Sequence, residues 1–93
     1  MILYRKGMEE LDLHGEDKIG AKIKIEAFLS DNYKIGNREI AVVCGVGKGI
    51  LKKEALNILR RDKRVECYNI DMFNEGCILV RLKEKVDKKC QKC

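Results

Sequence analysis

The segment Leu11-Asp12-Leu13-His14-Gly15 contains the single histidine of this chain. A carboxylate and an imidazole two residues apart, at the end of a short strand and followed at once by glycine, form an acid/base pair at a strand end. On an extended strand the two side chains share a face, with Cβ atoms roughly 6–7 Å apart at a rise of ~3.3 Å per residue. Both can then touch one phosphate or one water. The plainer alternative is a strand-end histidine that caps a backbone group.

A second chemical feature is the run Gly45-Val46-Gly47-Lys48-Gly49. A phosphate loop of the Walker type needs glycine five residues before Gly47 and Ser or Thr after Lys48, but Val42 and Gly49 stand there. The dinucleotide pattern needs two residues between its second and third glycines, and only Lys48 separates Gly47 from Gly49. What remains is an anion cradle: flexible backbone N–H groups at a helix N-terminus, with Lys48, Lys52 and Lys53 close by. One phosphate of a nucleic-acid backbone would fit it. A tight strand-to-helix turn accounts for the glycines equally well.

Five cysteines (Cys44, Cys67, Cys77, Cys90, Cys93) form an odd, irregularly spaced set, which points to reduced thiols rather than a disulfide scaffold. Cys90-Gln91-Lys92-Cys93 has the spacing of half a zinc site but lacks two further ligands in reach, so no metal site is expected there. Cross-linking or bridging of two chains through that pair has no other support. Cys44 has only His14 as a potential base, and no nucleophile–base arrangement emerges.

These residues need elements to hold them. Met8 to Leu13 alternates as a strand, with Leu11 and Leu13 on one face and the polar pair on the other. Asp17 caps a helix that runs to about Ile35 and ends at Gly36, with Ala21, Ile25, Phe28, Leu29 and Tyr33 as its inner stripe. Ile19 and Ile23 fall off that stripe, as flanking core or a partner contact. The apolar run Ile40-Ala41-Val42-Val43-Cys44 reads as a buried parallel strand. Strand, crossover helix and strand make a right-handed βαβ unit, so His14-Gly15 and the glycine loop lie side by side at the edge where open α/β sheets bind ligands. A second helix spans about Ile50 to Arg61, with Leu51, Ala55, Ile58 and Leu59 inward. Val65 to Phe73 and Cys77 to Leu82 then form a hairpin about Asn74-Glu75-Gly76. Its register stays open, because Ile70, Met72 and Leu79 compete with Val65, Cys67, Ile78, Val80 and Leu82 for the inner face. The lysine-rich stretch after Leu82 has no apolar period and reads as a frayed end or an extra charged turn.

The chain has 93 residues, 45% of them hydrophobic, enough for one domain with one core and too few for two. With 38% charged residues and no proline, the chain is highly charged without a linker-rich or disordered character. The net charge of +5 is unevenly placed: from Lys48 to Arg64 seven basic residues face two acidic ones. Such a stripe suits a polyanion, or is simply a solvated helix face. No apolar run approaches the ~20 residues of a membrane span, and the first residues lack the apolar core of a signal peptide, so a cytosolic protein with no membrane partner is expected. The few aromatics, Tyr4, Phe28, Tyr33, Tyr68 and Phe73, favour recognition of backbone or shape over reading of bases.

The order of elements and three motifs together resemble the Smr domain, the small MutS-related module found alone or at the C-terminus of larger proteins. Leu11 to Gly15 resembles its LDLHG opening. Ala21, Ile25, Phe28, Leu29 and Gly36 fall where its first helix has its apolar positions and closing glycine. Gly45 to Leu51 resembles its H-G-K-G-T-G-x-L loop, and Gly76 to Val80 its G-x-T-x-V strand. The resemblance implies an α/β fold, βαβαββ, with a four-stranded mixed sheet and two helices on one face, as in the C-terminal domain of translation initiation factor three. It places the domain at residues 8–82, after an extension at 1–7 and before a tail at 83–93. It also implies DNA or RNA binding, with nicking or endonuclease activity in which Asp12 and His14 act. His14 would be general acid or base in phosphodiester cleavage, and Asp12 would orient the imidazole or help hold a divalent metal ion. Gly45, Gly47, Lys48, Gly49, Lys52 and Lys53 would form the nucleic-acid contact. Cys44 stands where the family loop begins with histidine, Val46 where it has lysine, and Lys48 at its usual threonine. Two readings follow: a stand-alone nucleic-acid-binding protein with endonuclease activity, or a non-catalytic module that binds a ribosome-related partner or a second copy.

Overall fold

The structure, a computed structural model, describes residues 2–45 and 49–84. Six elements follow in order: β1 (Glu9–Asp12), α1 (Lys18–Ile35), β2 (Glu39–Val43), α2 (Ile50–Arg61), β3 (Val65–Asp71) and β4 (Asn74–Leu82). They form one four-stranded sheet in the order β1-β2-β4-β3, with β1 parallel to β2 and the other neighbours antiparallel. The expected βαβαββ mixed sheet is thus the one observed.

Both helix spans follow their end signals. The Asp17 carboxylate accepts from the Gly20 N–H, and Gly36, at φ 81°, turns the chain out of α1 while its own N–H returns to the Asn32 and Tyr33 carbonyls. Ala21, Ile25 and Leu29 are fully buried, with Phe28 and Tyr33 leaning on the same core. Asn32 is buried as well, unannounced by the apolar stripe. Its Nδ2 donates to the Phe28 carbonyl and its Oδ1 accepts from Asn37, so its polarity is satisfied inside the helix end. Ile19 and Ile23 are exposed.

Alternate sheet residues serve two separate cores. Ile40, Val42, Ile78, Val80 and Leu82 join Leu13 and the inner stripes of α1 and α2, which puts both helices on one face. Ala41, Cys77 and Leu79 face the other way and are covered by Ile2, with Met8 and Val43 alongside. The N-terminal residues lie across that second face as a strap. The Asn69 side chain clamps it, accepting from the Ile2 N–H at 2.9 Å and donating to the Ile2 carbonyl at 3.1 Å. Further along, Arg5 pairs with Glu39, which also holds Arg81 at 2.9 Å, and the Tyr4 hydroxyl meets Glu10. Those two guanidinium partners, Arg5 foremost, hold the Glu39 carboxyl below the ordinary glutamate range.

The strap explains why the hairpin register was illegible in sequence. β4 is an inner strand with both faces covered, so it shows a continuous apolar run and no alternation. The expected turn is also corrected. Met72 and Phe73 form it, Asp71 pairs with Asn74, and Asn74, Glu75 and Gly76 already belong to β4. Asp71 Oδ1 accepts from the Phe73 N–H at 3.3 Å and closes the turn two residues early. Strand ends shift by a residue too: β1 stops at Asp12 and β2 spans Glu39–Val43. Cys44, Cys67 and Cys77 are free thiols, whereas Cys90, Cys93 and the rest of the lysine-rich tail lie outside the described residues.

Candidate functional site

The parallel register of β1 and β2 ends at Asp12 opposite Val43, and the Leu13 N–H extends it with a 2.8 Å bond to the Val43 carbonyl. Leu13 is fully buried in the helix-side core and pins the strand end. His14 is exposed in the turn that follows, which Gly15 completes at φ 83°. Asp12, also exposed, accepts the His14 backbone N–H on Oδ1 at 2.9 Å. The expectation that both side chains stand on one strand face is therefore corrected: the strand ends first, and the Asp12 carboxylate reaches the His14 amide across a turn. Asp12 fixes the backbone that carries the imidazole.

Alongside, the chain leaves β2 through Cys44 and Gly45. The Gly76 carbonyl accepts from both their N–H groups, at 2.6 and 3.2 Å. A Cβ on Gly76 would lie 2.7 Å from the carbonyl carbon and oxygen of Gly45, so the position has no room for a side chain. The hairpin reading placed Gly76 in a turn, and the family resemblance placed it at the start of a strand. Its structural role, seating the exit of β2, has a sequence signal in its being a glycine at the head of an apolar run.

Beyond lie the first residues of α2. Gly49 caps it at φ 78° and, lacking a side chain, makes no N-cap bond to the first-turn amides of α2. At α1 the Asp17 carboxylate fills that role. A cleft of about 430 Å³ runs between the two helix starts, lined by Cys44, Gly45, Gly49, Ile50, Leu51 and Lys52 on one side and Glu16, Asp17 and Lys18 on the other. The α1 side carries Glu16 and Asp17 together with Lys18, and the α2 side carries Lys52. Lys53 is exposed one position round the helix. Burial pushes the Cys44 thiol above the ordinary cysteine value, and the nearby Lys52 ammonium offsets part of that rise.

The structure places Asp12 and His14 at the end of β1 beside the end of β2, and Gly45, Gly49 and Lys52 along the cleft at the start of α2; Asp12, His14 and Lys53 are not among the described residues that line that cleft. Gly47 and Lys48 lie outside the described residues. Sequence reasoning missed Glu16, Lys18, Ile50 and Leu51 as cleft walls, which became visible only once the two helix starts were placed together. Among the described residues no three His, Cys, Asp or Glu side chains come together as a metal site. No helix among the described residues is long and apolar enough to cross a membrane.

Comparison with known proteins agrees with this fold. The sequence pattern of the Smr domain matches residues 11–83. The chain is 34% identical over 67 residues to Endonuclease MutS2 of Clostridium tetani, covering 72% of this chain and 8% of that protein. It is 29% identical over 75 residues to Endonuclease MutS2 of Alkaliphilus metalliredigens, covering 81% of this chain and 10% of that one. The chain thus spans about a tenth of the length of these relatives. Among solved structures, the Smr domain of Thermus thermophilus MutS2 superposes with a TM-score of 0.80 at 28% identity, over 82% of this chain and 99% of the other. YdaL, a stand-alone small MutS-related protein from Escherichia coli, superposes with a TM-score of 0.73 at 15% identity, over 81% of this chain and 64% of that one.

Proposed function

This chain belongs to the Smr domain family, and from that premise we propose that it binds the phosphate backbone of DNA or RNA at the shared edge of β1, β2 and α2 and cleaves it there. The observation that supports this reading is that the strand end bearing Asp12 and His14 lies beside the end of β2, whose exit through Cys44 and Gly45 lines the cleft at the start of α2. A phosphodiester at that edge finds the first-turn amides of α2 and the Lys52 ammonium for its non-bridging oxygens. The His14 imidazole takes the proton of the attacking oxygen or supplies one to the leaving oxygen. Asp12 is a positioning residue, acting through the His14 backbone. The cytoplasm, with accessible nucleic acid and reduced thiols, suits such a protein.

A second reading, binding without cleavage, is favoured by Cys44. A buried thiol whose proton is held more tightly than usual does not shuttle protons near neutral pH as an imidazole does. Labelled RNA and DNA, incubated with the parent, His14→Ala and Asp12→Asn, with and without chelator, separate the two. The cleavage reading expects cutting by the parent and a loss of roughly 10²–10⁴-fold in His14→Ala. Bound but intact substrates with the parent select the second reading. Equal cutting by the parent and His14→Ala contradicts the role given to His14.

A further inference from the structure

The turn between β3 and β4 presents Met72 and Phe73 to solvent, with 60% and 88% of their surfaces exposed. Burial cannot account for these residues, and neither can turn chemistry. Two-residue hairpin turns favour Asn, Asp and Gly, and this one is held by the Asp71 carboxylate on the Phe73 N–H. The turn has a defined place. Val43, the last residue of β2, pairs with Cys77, and Gly76, three residues past Phe73, accepts the amides of Cys44 and Gly45. The hairpin tip therefore projects from the same sheet edge as His14 and the glycine-loop exit.

We propose that Phe73, with Met72 beside it, is a stacking platform for an unpaired nucleobase of a strand whose backbone lies at the β1/β2/α2 edge. The inference rests on the nucleic-acid reading of that edge and adds a substrate class to it: single-stranded or locally unpaired RNA or DNA. The tip is flanked by Asp71 and by exposed Glu75, carboxylates that repel phosphate, so its complement in a nucleic acid is the uncharged face of a base. In a continuous duplex those faces are covered by neighbouring bases, and only an unpaired base can offer one. The division of labour is physical: charge at α2 holds the backbone, and an uncharged ring at the hairpin tip selects for open structure.

The test uses the full chain with short single-stranded and duplex RNA and DNA probes. Phe73 is almost fully exposed, so Phe73→Ala leaves folding intact, as a thermal melt verifies. Phe73→Ala is expected to weaken single-strand binding about tenfold, the lower range of base–aromatic stacking, and to leave duplex binding unchanged. Stacking involves no counterion release, so the salt dependence of single-strand binding stays the same in the variant. The chain has no tryptophan, so Phe73→Trp introduces one fluorophore at the tip, which single strands quench and duplex does not. Unchanged single-strand affinity in Phe73→Ala overturns the inference while leaving the proposed function standing. A parent that binds no nucleic acid overturns both. Loss of a dimer in Phe73→Ala, with unchanged nucleic-acid affinity, overturns it in favour of a contact between copies.

Discussion

Asp12 holds its turn through one atom, so substitutions that keep or remove that atom are expected to differ. As acceptor for the His14 backbone N–H it needs only an oxygen in place. Asparagine preserves that oxygen while removing the charge. Asp12→Asn is therefore expected to unfold within about 0.5 kcal/mol of the parent, whereas Asp12→Ala loses about 1 kcal/mol with the turn bond. Denaturant midpoints measure this. Equal losses in the two variants contradict the account of the turn. His14 needs the same support from the other side, which Leu13 gives by anchoring in the core directly before it.

Among the elements, the junction of β4 with the exit of β2 sets where the glycine loop begins. Gly76→Ala puts a methyl group 2.7 Å from the Gly45 backbone, and no flexible side chain is there to yield. The variant is expected to lose roughly 1–3 kcal/mol and, in addition, nucleic-acid affinity, because the loop must move. Stability loss with fully retained affinity contradicts the loop-seating role. Much at this level was legible. Asp17 and Gly36 mark α1, and the apolar run after Glu39 marks a parallel strand, because caps and periodicity are local signals. The hairpin was legible as a hairpin but not in its turn or register. Met72-Phe73 carries no turn signal, and β4 lost its alternation to Ile2, more than seventy residues away in sequence. The site was legible as two motifs on parallel neighbours. The Asp12 turn, the Gly76 contact and the opposed capping of the two helices depend on distances that no motif contains.

For the molecule as a whole, the basic stripe read from Lys48 to Arg64 is divided. Arg64 is paired with Asp62 at 2.7 Å, and the groove between α1 and α2 mixes Lys22 and Arg61 with Glu26, Glu54 and Asp62. Charge in the groove beside α2 is thus locally balanced, and the N-terminal end of α2 carries Lys52 and Lys53 near the glycine-loop exit. The opposite sheet face is closed by the strap and its Arg5–Glu39–Arg81 cluster, which removes it as a competing surface. The most direct test is the salt dependence of nucleic-acid affinity in the parent and in a Lys52→Gln, Lys53→Gln double variant. Each phosphate contact contributes ~0.7–0.9 to the slope of log affinity against log salt. The account predicts steep weakening of the parent as salt rises, and a slope shallower by between about one and two in the variant. A slope that the two substitutions leave unchanged would contradict it.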